Sequence, residues 1–141
     1  MALYHKEVFK QSGDIKKENY QISKLSSEKY DIVSVYRSSD SVKSNMVDFL
    51  TDLRTLLSTK KKTLILGDFN FNASSQKKNF LLRGLENWNF KQLIQDPTHV
   101  QGGVIDHCYI SNDVPICSIS LYQKSVYYTD HDIIEVTIKQ T

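Results

Sequence analysis

Three short stretches carry the residues best suited to chemistry: Gly67-Asp68-Phe69-Asn70, Val104-Ile105-Asp106-His107 and Thr129-Asp130-His131-Asp132. Each lies directly beside an apolar run of strand character, Thr63-Leu64-Ile65-Leu66 before the first, and Cys108-Tyr109-Ile110 and Ile133-Ile134-Glu135-Val136 after the other two. The polar clusters therefore fall at strand ends. In an antiparallel sheet the end of one strand lies beside the start of its neighbour, so a cluster that follows its strand and two that precede theirs can share one rim. Carboxylates, a carboxamide and imidazole on one rim suit a hard divalent cation and phosphate chemistry.

At these residues the chain resembles the endonuclease/exonuclease/phosphatase superfamily, the fold of pancreatic-type deoxyribonuclease, apurinic endonucleases and the endonuclease domains of non-LTR retrotransposons. The order Gly-Asp-Phe-Asn, then a hydrophobic-Asp strand start, then Asp-His before a final strand matches the C-terminal half of that fold. Val33-Ser34-Val35-Tyr36-Arg37 is similar to the family's strand ending in an active-site tyrosine, and Thr98-His99 through Gly102-Gly103 to its retroelement-type loop. The match spans roughly residues 30 to 141. It implies an α/β (α+β) fold, a two-layer β-sandwich flanked by helices. It also implies that the domain, residues 1–141, is a single partial one that begins midway through the fold. The family's N-terminal half carries an Asn and a metal-holding Glu; Glu7, Glu18 and Glu28 do not stand in that motif, so no glutamate is assigned. The family's usual Pro-Asn after the tyrosine is Ser38-Ser39-Asp40 here.

Phosphodiester hydrolysis needs a nucleophilic water, stabilisation of the equatorial oxygens and neutralisation of the leaving oxygen, and Mg²⁺ (or Mn²⁺) can serve the last two. Asp68 is the candidate to take a proton from the water. Asn70, two residues on, would point the same way if strand geometry persisted, and its amide could donate to a phosphate oxygen. His131 can stabilise the phosphate or exchange a proton, and it needs a carboxylate behind it to fix its tautomer. Asp106 is the natural partner, and the resemblance implies that pairing. It also implies that Asp130 faces the metal and that Tyr36 donates its phenol to the scissile phosphate. Arg37, Lys77 and Lys78 are the cations best placed to touch a nucleic-acid backbone.

Each feature also has an ordinary reading. Gly-Asp and Asp-His at strand ends are common turn chemistry, because Asp and Asn cap their own backbone and Gly admits positive φ. The joint order of four elements favours the site. His5 and His99 read as solvated loop residues, and His107, alternating away from Asp106, faces the core or the opposite surface. A binuclear zinc phosphoesterase would need several loop histidines such as Gly-Asn-His, which this chain lacks. The expected function is a metal-dependent phosphodiester hydrolase, a DNA endonuclease of retroelement or apurinic type. The alternatives are a non-catalytic or nucleic-acid-binding remnant and a phosphatase of the same superfamily.

The chain's 141 residues correspond to about one domain, and its 40% apolar content is lean for a self-sufficient core. If covering strands were absent, Val33, Val35, Leu64, Leu66 and Ile110 would be exposed. A net charge of +2 supports polyanion binding only feebly. With no apolar run of about 18 residues and no signal-peptide core, the chain reads as soluble and intracellular, in cytoplasm or nucleus, with no membrane partner. Cys108 and Cys117 fit neither a zinc knuckle nor a disulfide framework.

Positioning these groups requires the following elements. Met1 to Lys6 reads as a first strand, Ser12 to Ser27 as a polar loop or hairpin tip, and Tyr30 to Arg37 as a strand. Met46, Phe49, Leu50, Leu53, Leu56 and Leu57 recur at helical spacing after a Ser41 or Ser44 cap. Lys60-Lys61-Lys62 would then complement the helix dipole. A second amphipathic helix runs from Gln76 to Asn87, and strands follow at Phe90 to Ile94, Ile105 to Ser111, Ile116 to Gln123 and Ile133 to Lys139.

Overall fold

The computed structural model describes residues 9–38, 45–57, 61–70, 80–94, 106–111, 116–122 and 133–138. The polar segment expected as a loop or hairpin tip is two paired strands: β1 (Lys10–Lys16) pairs antiparallel with β2 (Tyr20–Ser26), and only Lys17 to Asn19 form the turn. β1 escaped the apolar-alternation pattern because most of its side chains face water. The same geometry repeats as β2 turns at Ser27–Lys29 into β3 (Tyr30–Arg37), where Ser27 N–H donates to Tyr30 O at 2.8 Å.

From β3 the chain crosses through helix α1 (Asn45–Leu56) to β4 (Lys62–Asp68), which lies parallel to β3. A parallel pair needs such a crossover, and here a helix supplies it. Met46, Phe49, Leu50 and Leu53 form its buried stripe at the expected spacing, with Asp48 in the first turn and Arg54 in the last complementing the dipole. Of the lysine run, Lys60 lies outside the described residues, Lys61 Nζ donates to Ser27 O at 2.9 Å, and Lys62 opens β4. Helix α2 (Phe80–Asn87) closes with Trp88 N–H donating to Leu85 O, followed by Asn89 at φ 64°. Asn tolerates the left-handed region that ends a helix. Then come the short β5 (Phe90–Gln92) and β6 (Asp106–Ser111).

Among the described residues the main sheet has six strands in the order β1-β2-β3-β4-β6-β5, and β7 (Ile116–Tyr122) pairs antiparallel with β8 (Ile133–Ile138) in a separate two-stranded sheet. One face of the large sheet is covered by the helices: Tyr20, Ile22, Val33, Val35, Ile65 and Tyr109 pack with Phe49, Leu53 and Leu85. The other face carries a smaller cluster of Tyr30, Leu64, Cys108, Ile110 and Ile94. The expected exposure of apolar strand residues is therefore not found. Val33 is 0%, Val35 3%, Leu64 2% and Ile110 8% exposed, and Leu66 packs partly buried against the second cluster. No helix among the described residues is long and apolar enough to cross a membrane. The expected strand at Met1 to Lys6 lies outside the described residues.

Candidate active site

β3 and β4 end side by side, and β6 starts beside the end of β4. Tyr36 is the register partner of Asp68 across the parallel pair, and Asp68 is the partner of Asp106 across the antiparallel one. Directly opposed residues share a face, and the burial parity identifies which one. Val35, Ile65 and Tyr109, one residue out of phase with this row, lie in the helix-covered core, whereas Leu64 and Cys108, in phase with it, lie in the other cluster. Tyr36, Asp68 and Asp106 thus form one row at one rim of the face opposite the two described helices. Tyr36 is 55% exposed, and both aspartates are half-buried.

The close approach of β3 and β4 at this rim depends on Gly67. Its φ of +152° suits glycine, and a Cβ there would stand 1.9 Å from the Val35 carbonyl oxygen. Immediately after, the strand ends at Asp68, so the alternation expected to carry Asn70 parallel to Asp68 does not continue. Asn70 adopts φ 47°; its backbone N–H donates to Asp68 Oδ1 at 3.0 Å, and its side-chain Nδ2 donates to the Arg37 carbonyl. This Asx-type turn orients the Asp68 carboxylate and fastens it to the end of β3. Among the described residues, one N–H and the carbonyl oxygen of the Asn70 amide are left for other partners.

Arg37 stands differently from the sequence-based expectation. It is 2% exposed, its Nη1 donates to the Phe69 carbonyl at 3.2 Å, and its guanidinium lies 5.6 Å from the centre of the Phe49 ring. The reading of Arg37 as a backbone contact gives way to an internal brace. On a strand, a residue next to the exposed Tyr36 faces the opposite side. Burial lowers its pKa, although a guanidinium stays charged regardless, and its buried Nε has no hydrogen-bond partner among the described residues.

Phe69, wholly buried, links the two motifs from below. It stacks on His107 at 4.6 Å between centroids and 12° between planes, and meets Phe49 and Tyr109 edge-on. His107 is 1% exposed with Nδ1 2.9 Å from the Tyr109 hydroxyl, so it serves the core beneath Asp106, as its alternation indicated. Cys108 is a buried free thiol. Asp130, His131, Lys77 and Lys78, with the Thr98 to Gly103 loop, lie outside the described residues.

Two features were missed in the sequence. Gln21 is the register partner of Tyr36, and Lys16 that of Gln21, so the row continues onto the hairpin. The signal was available once β1 and β2 were recognised as strands. As a donor set, Asp68 and Asp106 supply the hard oxygens that suit Mg²⁺. Among the described residues no three His, Cys, Asp or Glu side chains gather into a metal-holding group.

An open, mixed sheet with its helices on one face and acidic strand ends at one rim defines the deoxyribonuclease-like class of α/β folds. The chain belongs to the Endonuclease/Exonuclease/phosphatase family, whose model matches residues 28–131. Among solved structures, the endonuclease domain of TRAS1, a telomere-specific non-LTR retrotransposon, is similar at TM-score 0.67 and 15% identity, covering 96% of this chain and 70% of that domain. CdtB, the biologically active subunit of cytolethal distending toxin, is similar at TM-score 0.63 and 11% identity, over 93% of this chain and 56% of that one. A Bacteroides thetaiotaomicron mannosyl-6-phosphatase is similar at TM-score 0.55 and 10% identity, over 86% and 57% respectively. Comparison with curated proteins gives no match. The chain thus spans little more than half the length of the toxin subunit and the phosphatase.

Proposed function

We propose that this chain carries the rim of a divalent-metal-dependent phosphodiesterase, with DNA as substrate. The observation that supports it best is the single row of Tyr36, Asp68 and Asp106 on one face and one rim. Two carboxylates set directly opposite each other in a sheet repel, and a bound cation or a protonated partner relieves that repulsion. Mg²⁺ or Mn²⁺, when bound, supplies charge neutralisation for the phosphate and the leaving oxygen.

Within that reading, Asp68 accepts the proton of the attacking water, its orientation held by the Asn70 N–H. Tyr36, exposed beside it, donates its phenol to a phosphate oxygen, and the second N–H of the Asn70 amide donates to another. Asp106 would orient His131, and Asp130 would help to hold the metal. Lys77 and Lys78 contact the nucleic-acid backbone. The name of one structural neighbour, a retrotransposon endonuclease, weighs toward a nuclease, and that of the mannosyl-phosphatase toward a monoesterase.

Nicking of supercoiled plasmid by the purified chain, with Mg²⁺ and then with excess chelator, tests the reading. Mg²⁺-dependent nicking, with p-nitrophenyl phosphate left intact, is expected. Hydrolysis of the monoester without nicking would favour the phosphatase, and no hydrolysis of either would favour the non-catalytic remnant.

A further inference from the structure

The row does not stop at Tyr36. Gln21 sits opposite Tyr36 on β2 and Lys16 opposite Gln21 on β1, so Lys16, Gln21, Tyr36, Asp68 and Asp106 form one line across five adjacent strands. All five share a face. Ile15, beside Lys16, and Tyr20 and Ile22, flanking Gln21, pack into the helix-covered core, which turns Lys16 and Gln21 to the opposite side with Tyr36. Both are exposed.

The hairpin end that carries them is pinned. Ser38 N–H donates to Asn19 O at 2.7 Å, joining the β1–β2 turn to the end of β3, and Lys17 N–H donates to Tyr20 O at 2.9 Å within the turn. Tyr20 is 6% exposed, and its hydroxyl donates to Asp52 on α1 at 2.5 Å. Lys16 and Gln21 are therefore held on regular strands at a fixed offset from the acidic end of the row, as a binding subsite requires.

The charge along the line is polarised, with carboxylates at one end, a phenol and a carboxamide in the middle, and an ammonium at the other. Strand spacing of about 4.8 Å puts Lys16 roughly 10 Å from Tyr36 and 14 Å from Asp68, backbone to backbone. A phosphomonoester at the aspartates is too small to reach that lysine. A polymer of phosphodiesters can.

We propose that Lys16, assisted by the Gln21 carboxamide, is a subsite for a phosphate flanking the scissile one, so that the rim takes a nucleic-acid strand lying across β1, β2 and β3. The inference rests on the phosphodiesterase reading. It adds the direction of the strand's path and the residue that selects polymer over monoester. Lysine acts here as a point charge on a flexible stem, which suits a sequence-independent backbone contact.

The test is fluorescence anisotropy on the full chain with a labelled twelve-base-pair DNA duplex over a salt series, without Mg²⁺ so that nothing is cleaved. Competition by a dinucleotide is measured in parallel. Lys16→Ala is expected to weaken duplex binding about five-fold and to flatten the slope of log K against log salt by about one, leaving the dinucleotide unaffected. Lys10→Ala, at the far end of the same strand and likewise exposed, should leave both unchanged. Gln21→Glu, which sets a carboxylate into the line, should weaken the duplex further. Circular dichroism and thermal unfolding check that each variant is folded, which substitution of exposed side chains favours.

The proposal is overturned if the wild-type chain does not bind the duplex, if Lys16→Ala binds as tightly as wild type, if Lys10→Ala loses as much, or if the dinucleotide is weakened equally. Binding needs no turnover. A chain that binds through Lys16 yet never nicks DNA refutes the catalytic reading alone, whereas nicking that is indifferent to Lys16 refutes the subsite alone.

Discussion

Tyr36 and Asp68 are register partners across the parallel β3–β4 pair, so the exposed phenol and the carboxylate stand side by side on neighbouring strands at the same height in the sheet. Parallel pairing brings the ends of both strands to one edge, and β6, running the other way, begins there with Asp106. A short segment from each of three strands thus contributes to one rim. The chemistry is divided between side chains of which none is unusual alone.

Because Tyr36 contributes little to packing, Tyr36→Phe should change stability by less than about 0.5 kcal/mol. If the phenol donates to the phosphate, the same change should lower kcat about 10²-fold with KM little altered. Chemical unfolding and steady-state cleavage of an oligonucleotide check the two halves.

Gly67→Ala should destabilise the chain on the order of 3 kcal/mol, because the new methyl meets the Val35 carbonyl at 1.9 Å and the backbone holds a φ of +152°. The damage should centre on the β3–β4 pair, and hydrogen exchange should show lost protection at Val35 and Leu66 before β1 and β2 are affected.

Arg37→Ala separates a brace from a surface contact. A phosphate-binding surface arginine would cost under about 0.5 kcal/mol of stability. The buried side chain seen here, packed over Phe49 and bonded to the Phe69 carbonyl, should cost about 2 to 4 kcal/mol through lost packing and an orphaned carbonyl. Urea titration distinguishes the two.

Stability should fall on the alkaline side. Burial pushes the Cys108 thiol from 9.0 up to about 12. Tyr109 is raised by burial and then by nearby Glu86 and Cys108, and Tyr20 by burial and then by its bond to Asp52. These groups are neutral when protonated, and the folded state holds the proton more tightly than the unfolded chain. Their contribution is therefore fully present below about pH 9 and is lost as pH rises from there through the folded values. Unfolding midpoints measured from pH 7 to 11 should drop above about pH 9, and Cys108→Ala should delay the onset to the tyrosine range near pH 10.

Much of this was readable in the residues, and the exceptions have physical causes. The stripe of Met46, Phe49, Leu50 and Leu53 marks α1 because a helix that buries one face must repeat at three and four. That Asp68 and Asp106 share one rim followed from the order of motifs against their strands; the third cluster, Asp130-His131, lies outside the described residues. β1 was not legible because an exposed edge strand needs no apolar alternation, and its Lys10 to Lys16 are polar or half-buried. With the β1–β2 hairpin went Lys16 and Gln21. Arg37 was misread as a surface cation although the alternation was in plain view: with Tyr36 outward, its neighbour points to the core. Asn70 was extrapolated along a strand that in fact ends at Asp68, where the Asx turn sets a left-handed φ.

The most direct measurement is the rate of Mg²⁺-dependent plasmid nicking by the wild-type chain against Asp68→Asn. Asparagine keeps an oxygen to accept the Asn70 N–H but cannot take a proton from water, so stability should stay within about 1 kcal/mol while the nicking rate falls 10²- to 10⁴-fold. Nicking that persists in Asp68→Asn at the wild-type rate, with the variant equally stable, would contradict the assignment of this rim as the active site.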